Sequence, residues 1–283
     1  MNNALILSSL YNRVMKSIIV SGVSGGMGLA TAKKLIETGY HVFGLDIKAP
    51  KETLDNLTFI KTNLRDNKSI SSAYIEISHQ TKEIEAIVSM AGIYDVNSLV
   101  EISEEDFLRI FDINVFAIYR LNKTFLPLLK EKGKVIMVSS ELAPLDPLPF
   151  TGLYGITKST IEKYAYSLRM ELQLLNKQVV VIRPGAVNTS LLDVSTSGIK
   201  RFSESTELYK YNASKFMEIT NKVEAKKIPP ERIAKLTYKI LRKKKPKYVY
   251  KINRNKLLLL LNIMPDRFQN WVIKKILLSK SKK

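Results

Sequence analysis

The stretch SGVSGGMG, residues 21–28, follows a short apolar run from Ser17 to Val20. A helical pattern comes after it and ends at Gly39, and a second apolar run, His41 to Leu45, ends at Asp46. This order of strand, glycine-rich turn, helix and strand predicts a βαβ unit with the glycines at its turn. Glycine at such a turn lets a diphosphate approach the backbone N–H groups at the start of the helix.

The same alternation continues along the chain. Further strands are predicted at 58–61, 86–89, 134–138 and 178–182, and helices at 68–77, 104–130 and 154–175. Strands that alternate with helices predict an α/β domain with a doubly wound parallel sheet, a Rossmann fold, whose ligands bind at the carboxyl ends of the strands. A glycine or polar motif stands at five such ends: Gly22, Asp46, Gly92, Ser140 and Pro184.

The stretch VSSELAPLDPLPFTGLYGITK, residues 138–158, holds a candidate acid/base group. Tyr154 and Lys158 are four residues apart, so on a helix they lie one turn apart on the same face. A lysine ammonium beside a phenol favours the phenolate, so we expect Lys158 to lower the pKa of Tyr154. Ser140, at the end of the preceding strand, could hold a substrate oxygen that Tyr154 protonates. A Tyr and a Lys on an ordinary amphipathic helix would give the same pattern.

The composition excludes several classes of chemistry. The chain has 283 residues, no cysteine and two histidines, His41 and His79. Disulfides, thiolate nucleophiles and Cys-ligated zinc are therefore excluded, and the histidines lack metal-ligand spacing, so we expect no metal site. A reducing cytoplasm is the expected compartment.

The positive charge is concentrated at the C-terminal end. Nineteen Lys and Arg but only two acids, Glu231 and Asp266, lie between residues 226 and 283, which gives +17 of the total net charge of +19. Two apolar, basic helices are predicted there, and Phe268, Trp271, Val272 and Ile276 share one face of the second. Such a helix can lie on an anionic membrane surface, peripheral to the inner face, or it can pack on its own domain or on a second subunit. Nucleic acid is not expected, because leucines rather than stacking aromatics separate the basic residues.

Asp46 bears on the choice of cofactor, and Asn114 bears on a possible proton relay. Asp46 ends the second strand, where a carboxylate suits the ribose hydroxyls of NAD and repels the 2′-phosphate of NADP, so NAD is favoured over NADP. Lys48, two residues on, softens that preference. Asn114 stands within a predicted helix, where asparagine is unfavourable, so it either holds a water of a proton relay or is a buried asparagine at a kink.

With these residues in place, the chain resembles the short-chain dehydrogenase/reductase family over about residues 16–250, and its tail resembles that of the hydroxysteroid and retinol dehydrogenases. Residues 21–28 match the family's TGxxxGxG turn with Ser for Thr, and residues 184–189 match its PGxxxT segment. The family's catalytic tetrad is matched by Asn114, Ser140, Tyr154 and Lys158.

The resemblance implies a role for each matched residue. Tyr154 would be the general acid/base, Ser140 would orient the substrate oxygen, and Lys158 would also hold the nicotinamide ribose. Asn114 would support the relay, and Val187 and Thr189 would contact the carboxamide. The cofactor-binding residues implied in this way are Gly22, Ser24, Gly26, Met27, Gly28, Asp46, Asn63, Leu64, Ala91, Gly92, Tyr154, Lys158, Pro184, Gly185, Val187 and Thr189.

Three positions depart from the family pattern. Ser89 and Met90 replace two asparagines, and Asn63 stands where an aspartate usually meets the adenine. The distance from Ser140 to Tyr154 is one residue longer than the commonest pattern, which leaves Ser139 as an alternative to Ser140.

The expected protein is an NAD-dependent oxidoreductase that interconverts a hydrophobic secondary alcohol and a ketone, as a homo-oligomer. We expect an N-terminal extension at 1–15, a domain at 16–252 and a basic tail at 253–283. The extension does not have the pattern of a signal peptide. Residues 190–228 would form a substrate lid, with apolar side chains that either line a pocket or form an ordinary helix face. Those side chains are Leu191, Leu192, Phe202, Tyr209, Tyr211, Phe216 and Met217.

Two other functions compete with this one. Residues 22–26 satisfy the G-x-S-x-G pattern of a hydrolase, with Ser24 as the nucleophile, but no histidine follows at a suitable place. The other is a regulatory or scaffold protein that binds NAD without catalysis. The Tyr154 and Lys158 pair argues against it, since a regulator has no need of an acid/base group.

Overall fold

Parallel strands form the centre of the molecule. The computed structural model describes residues 15–146, 148–189, 198, 200–224 and 227–279. Within them, seven strands form one sheet in the order β3-β2-β1-β4-β5-β6-β7, and every neighbouring pair is parallel. The strands are β1 (Lys16–Ser21), β2 (Tyr40–Asp46), β3 (Leu57–Lys61), β4 (Ile84–Ser89), β5 (Leu129–Val138), β6 (Gln178–Pro184) and β7 (Val249–Ile252). The doubly wound α/β fold is confirmed.

Helices cover both faces of this sheet. They are α1 (Gly26–Glu37), α2 (Asn67–Gln80), α3 (Glu104–Phe111), α4 (Ala117–Phe125), α5 (Gly152–Leu172), α6 (Lys210–Glu224), α7 (Glu231–Arg242), α8 (Lys256–Leu261) and α9 (Asp266–Leu278). One core joins the sheet to α2, α4 and α5, and a second joins its other face to α1 and α7. Parallel strands buried on both faces need near-continuous apolar runs, as in β1, where the last five residues are buried.

The helix predicted at 104–130 is wrong as a single element. α3 passes into a π-helical turn, Asp112–Phe116, before α4 begins, and a 3₁₀ turn at Leu126–Leu128 ends the helical stretch. Pro127 lies in that 3₁₀ turn, where its missing N–H ends the α-helical ladder. β5 therefore begins at Leu129, five residues before the predicted start at Lys134.

The C-terminal part packs back on the domain. β7 adds to the sheet beside β6, and the two predicted tail helices are present as α8 and α9. The Asn255 side chain caps the start of α8 by accepting from the N–H groups of Leu257 and Leu258. The Tyr211 hydroxyl on α6 donates to the Ser279 carbonyl (2.6 Å), and the Asn212 amide donates to the Leu277 carbonyl (3.0 Å). These contacts fix α9 against α6.

Every helix in the described part of the chain is too short or too polar to cross a bilayer. The predicted extension at 1–15 lies outside the described residues except for Met15. The lid predicted at 190–228 is described at 198, 200–224, 227 and 228, so Leu191 and Leu192 lie outside the described residues.

Candidate active site

Two adjoining cavities lie at the carboxyl ends of the strands. The first, of about 700 Å³, runs over the glycine turn and the ends of β2 and β3. The second, of about 200 Å³, is lined by Ser140, Tyr154 and Lys158. Both cavities are lined in part by the same side chains and backbone: Met27, Met90, Gly92, Ile93 and Thr189. We call them the groove and the pocket.

The glycine turn has no room for side chains. Gly22 has φ +72°, and a Cβ there would lie 2.7 Å from the Ala91 backbone nitrogen. A Cβ on Gly28 would lie 2.0 Å from the Gly22 carbonyl oxygen, so helix α1 could not approach β1 with any other residue. The turn thus exposes backbone at the start of α1 to the groove, as a diphosphate site requires.

Asp46 lies at the groove with its carboxylate held by backbone N–H groups. It accepts from Ser24 (3.0 Å) and from Ile47 (2.7 Å), so the glycine turn and the end of β2 are joined through this side chain. The Ser24 hydroxyl donates to the Lys48 carbonyl. A fixed carboxylate of this kind at the end of β2 is suited to accept from a ribose diol.

Asn63 and Leu64 line the groove beyond β3. The Asn63 side-chain oxygen accepts from the Arg65 N–H (3.0 Å), which shapes the turn. Arg65 also lines the groove, but its guanidinium is paired with Asp112 (2.9 Å). Leu64 is buried.

Asn114 is fully buried in the π-helical turn and contacts the loop after β4. Its side-chain oxygen accepts from the Ile93 N–H (2.9 Å), and its amide donates to the Ile93 carbonyl (3.0 Å) and to the Thr157 hydroxyl (3.2 Å). The side chain therefore clamps the backbone at the junction of groove and pocket. The sequence left two roles open for Asn114, a water of a proton relay or a buried asparagine at a kink. The structure has it buried at a kink, with its amide donating to protein groups.

Ser140 and Tyr154 meet in the pocket. Both residues are buried and line the pocket, and the Ser140 side chain beside the phenol favours the charged form of Tyr154. Ser140 is held in turn by the Leu142 N–H, which donates to its hydroxyl oxygen (3.1 Å). The ring of Tyr94 lies edge-on to that of Tyr154, with centroids 4.6 Å apart.

Lys158 is buried one turn along α5, with its Nζ 5.5 Å from the Tyr154 ring centroid. Burial lowers the pKa of Lys158 to about 8, and burial raises the pKa of Tyr154 to about 12, although the neighbouring Ser140 side chain lowers it in part. The sequence predicted the opposite direction for Tyr154. The prediction is wrong for this structure because loss of hydration disfavours the buried phenolate more than neighbouring groups favour it.

Ser139, the alternative to Ser140, also lines the pocket, but its hydroxyl is engaged with α5. Its hydroxyl donates to Glu162 (2.8 Å), and Glu162 accepts from Arg183 Nε (2.6 Å). Glu162 and Arg183 were missed by the sequence reasoning. Glu162 follows Lys158 by four residues on α5, which was the available signal.

The loop after β6 closes the other side of the site. Val187 pairs with Ile228 in an isolated β-bridge, and Thr189 lines both cavities. A Cβ on Gly185 would lie 1.9 Å from the Asn253 carbonyl oxygen, so this glycine lets the loop pack under the C-terminal segment. Pro184 and Gly185 also line the pocket.

The pocket wall is mostly apolar. Side chains from distant parts of the chain form it, among them Leu142, Leu148, Val187, Phe216, Ile219 and Leu258. Phe202, Tyr209 and Phe216 of the predicted lid pack on Phe150, with ring centroids 4.8, 5.3 and 5.5 Å away. Of these three, Phe216 also lines the pocket.

Glu141 is a further pocket residue that the sequence reasoning missed. It lines the pocket directly after Ser140 and accepts from the Asn255 N–H (2.6 Å) at the start of α8. Burial raises the pKa of its carboxyl.

The hydrolase alternative finds no support here. The Ser24 hydroxyl is engaged with the Lys48 carbonyl, and the His41 ring is hydrogen-bonded with Thr58 (3.0 Å). Among the described residues, no group of three or more His, Cys, Asp or Glu side chains could hold a metal ion.

The groove and pocket fit a nicotinamide dinucleotide. The close-packed glycines leave backbone open at the start of α1 for a diphosphate, and Asp46 lines the same groove with its carboxylate. Thr189 and Val187 would meet the nicotinamide end beside Tyr154.

Comparisons with known proteins agree with this geometry. The family model "short chain dehydrogenase" matches residues 16–200. The 3-ketodihydrosphingosine reductase of Bacteroides thetaiotaomicron is 25% identical over 237 residues, 83% of this chain and 87% of that protein. The NADPH-dependent 3-dehydrocapnine reductase of Ornithobacterium rhinotracheale is 28% identical over 280 residues, 92% of this chain and 97% of that protein.

A solved structure shares the fold. A short chain dehydrogenase family protein from Francisella tularensis superposes with a TM-score of 0.71 at 23% identity, covering 84% of this chain and 97% of that one. The family match, the sheet order and the Ser140–Tyr154–Lys158 constellation agree, and the chain belongs to the short-chain dehydrogenase family, as an oxidoreductase that acts on alcohols or ketones with a nicotinamide cofactor.

Proposed function

We propose that this protein reduces a ketone on a hydrophobic molecule to a secondary alcohol, with NADH as the favoured reductant. The observation that carries the proposal is that Ser140 and Tyr154, both buried, line the same apolar pocket, which adjoins the groove. A carbonyl oxygen between these two hydroxyls would accept from both.

The protonation state of Tyr154 favours the direction of ketone reduction. A tyrosine with a pKa of about 12 is protonated at neutral pH, which is the form that can donate to a developing alkoxide. When bound, the nicotinamide supplies hydride to the carbonyl carbon. Tyr154 supplies the proton to the oxygen, Ser140 donates a hydrogen bond to the same oxygen, and the C=O double bond becomes a C–O single bond.

Lys158 supports this step through its charge. With a pKa of about 8, its buried ammonium is mostly charged at neutral pH and stabilises negative charge that develops on the tyrosine oxygen. Asn114 acts indirectly: by clamping Ile93 it positions the backbone next to Gly92, and a Cβ on Gly92 would lie 3.2 Å from the Asn114 oxygen and 3.4 Å from Lys158 Nζ.

The apolar wall of the pocket indicates the substrate class. A wall of leucine, isoleucine, valine and phenylalanine side chains favours an alkyl chain or a fused-ring skeleton over a polyol. The relatives named for 3-ketodihydrosphingosine and 3-dehydrocapnine support a ketone on a lipophilic skeleton. Glu141 beside Ser140 would suit a hydroxyl or amino group near the carbonyl.

NADH is favoured over NADPH because Asp46 presents a carboxylate to the groove, where a 2′-phosphate would be repelled. Arg65, a cation that could offset this repulsion, is paired with Asp112. Relatives described as NADPH-dependent, the 3-dehydrocapnine reductase among them, favour NADPH instead.

The test is a panel of long-chain keto compounds, steroid ketones, retinoids and short polyols, followed by loss of NADH or NADPH absorbance. We expect turnover with the lipophilic ketones and the higher kcat/KM with NADH. Turnover of short polar substrates alone would overturn the substrate class.

The Tyr154→Phe variant separates the enzyme from the alternative, an NAD-binding regulatory or scaffold protein. An enzyme loses about a thousandfold or more in turnover and keeps NADH binding. The regulatory or scaffold function is favoured if the wild-type protein binds NADH but turns over none of the ketones tested, and if Tyr154→Phe leaves NADH binding unchanged.

A further inference from the structure

The two C-terminal helices carry a set of large apolar side chains that nothing in the described chain covers. They project from α8, the turn after it and α9, and the residues are Leu257, Leu260, Ile263, Phe268, Trp271 and Leu278. We call them the α8–α9 surface. Ile263 is 80% exposed and Trp271 is 53% exposed. We propose that this surface binds a bilayer rich in anionic phospholipid.

The packing of α9 leaves its aromatic side chains exposed. Gln269, a polar residue, is buried and donates to the Leu261 carbonyl (3.2 Å), while Phe268 and Trp271 beside it are exposed. The two rings stack on each other with centroids 5.7 Å apart. Leu277 on the opposite side packs on the small core around Phe150, so α9 cannot turn its aromatic face inward without losing that contact.

Cations surround the exposed rings. Arg267 and Lys274 follow the helical spacing that places them on the same face as Trp271, and Lys275 lies with its Nζ 4.7 Å from the Trp271 ring centroid. In the whole C-terminal part, residues 226–283, the only acids are Glu231 and Asp266, and the net charge is +17. An aromatic and leucine stripe within a cationic face is typical of helices that lie in a membrane interface with anionic headgroups.

Other occupants fit less well. A second copy of the chain would bring another strongly basic tail against this one, and like charges repel across an interface. A nucleic acid would complement the charge, but isoleucine and leucine side chains give it no stacking platform.

The position of the surface relates it to the pocket. Leu258 on α8 lines the pocket, whereas its neighbours Leu257 and Leu260 belong to the α8–α9 surface. The backbone at the start of α8 is tied to Glu141, directly after Ser140, by the Asn255 N–H. A bilayer on this surface would lie against the outer side of the pocket wall. The binding itself needs no catalysis and goes beyond the proposed function.

The experiment uses the full-length chain and vesicles, without substrate. Trp271 is the sole tryptophan, so the protein's indole emission reports on this surface alone. We expect a blue shift of that emission, quenching by brominated acyl chains and co-flotation with phosphatidylcholine vesicles that contain phosphatidylglycerol, with much weaker effects on phosphatidylcholine alone. Raising the salt concentration should weaken the binding.

Variants separate the charge from the apolar contribution. Arg267→Gln, Lys274→Gln and Lys275→Gln together should weaken co-flotation on the order of a hundredfold, since each cation near the surface contributes roughly fivefold. The matched control is Lys51→Gln, Lys82→Gln and Lys132→Gln, three exposed lysines elsewhere, which should change it little. Ile263→Ser with Phe268→Ser should weaken co-flotation, and Leu174→Ser, at an 82% exposed position near the amino end of β6, should not.

Three outcomes would overturn the proposal. One is unchanged Trp271 emission on anionic vesicles. Another is an oligomer that dissociates in Ile263→Ser with Phe268→Ser, which would assign the surface to a second copy. The third is a duplex DNA that shifts the emission while vesicles do not. Thermal melting of each variant checks that it is folded.

Discussion

Gly26 lies directly against Thr189: a Cβ built on Gly26 would be 2.8 Å from Thr189 Cγ2 and 2.9 Å from its Cβ. The first residue of α1 and the loop after β6 thus touch at the place where groove and pocket join. The two cofactor motifs are far apart in the chain, and this contact makes them one wall.

Replacement of Gly26 by alanine should disturb that wall. The added methyl must displace Thr189, so we expect destabilisation of roughly 1–3 kcal/mol from overpacking and at least a tenfold loss of NADH affinity. Urea unfolding and NADH fluorescence titration measure the two effects. Gly152→Ala is the matched control, because its Cβ would meet only the Leu99 side chain, at 3.3 Å, and it should bind NADH normally.

Ser140 and Ser139 should differ sharply when each is changed to alanine. Ser140→Ala removes the hydroxyl beside Tyr154 and should lower kcat about a hundredfold, in the range of one lost oxyanion donor. Ser139→Ala removes the bond to Glu162 and the longer contact with the Lys158 carbonyl (3.5 Å), and should cost about 1 kcal/mol of stability with turnover nearly unchanged. Steady-state kinetics measures kcat for both variants. A larger loss of kcat in Ser139→Ala than in Ser140→Ala would assign the contact with the substrate oxygen to Ser139.

Lys158→Met should stabilise the protein while abolishing turnover. The pKa of Lys158 falls from 10.5 to about 8 on folding, so between these values the unfolded chain binds more protons and wild-type stability rises with pH. At about pH 7 the buried ammonium opposes folding, and we expect the variant to be more stable by an amount on the order of 1–3 kcal/mol. The difference should shrink toward pH 10.

Urea unfolding at several pH values measures this convergence. Tyr154 has the opposite effect on the pH dependence of stability, and at higher pH than Lys158. Its raised pKa of about 12 gives stability that is present below pH 10 and lost toward pH 12. Lys132→Met, at an exposed lysine, is the control and should show no convergence. A variant that is less stable than wild type at neutral pH would mean that the ammonium stabilises the fold.

Asn114 and Asn122 should respond differently to leucine, a residue of similar size. Asn114→Leu leaves the Ile93 N–H and carbonyl without their partner, and we expect a loss of roughly 2–4 kcal/mol. Asn122 is also buried, but its side-chain oxygen has no hydrogen-bond partner and its amide donates to the Tyr164 hydroxyl (3.3 Å) and the Met137 sulfur, so its loss strands no backbone group. Asn122→Leu should therefore cost less, about 1 kcal/mol. Equal losses in thermal unfolding would contradict the clamp.

Asp46→Asn should shift the cofactor preference. Removing the carboxylate charge removes the repulsion of a 2′-phosphate and weakens the contact with a ribose diol, so NADPH should gain and NADH should lose. We expect the ratio of kcat/KM for NADH over NADPH to fall about tenfold or more. A wild type that already prefers NADPH would overturn the assigned role of Asp46.

The local elements around the glycine turn follow directly from local sequence. The predicted strand from Ser17 to Val20 lies within β1, and the predicted run from His41 to Leu45 lies within β2. Both are short apolar segments bounded by glycine or a polar residue, so the chain pattern alone specifies them. The break in the helix at 112–116 does not follow in this way, because Asn114 there bonds to Ile93 from a separate loop.

The chemical state of the site also depends on the whole fold. The spacing of Tyr154 and Lys158 predicted their shared helix face, and both line the pocket. It did not predict the raised pKa of Tyr154, since hydration is lost only when β5, α5 and the loop after β4 enclose the phenol.

The alternation of strands and helices and the glycine turn could be predicted from the sequence, because periodicity and spacing are properties of neighbours along a chain. The set of four candidate catalytic residues came instead from the resemblance to the family and stays a prediction. The choice of Ser140 over Ser139, the clamp on Ile93 and the outward turn of Trp271 were decided by the tertiary structure. Each of these depends on groups that only folding brings within a few ångströms, where burial and hydrogen bonding act.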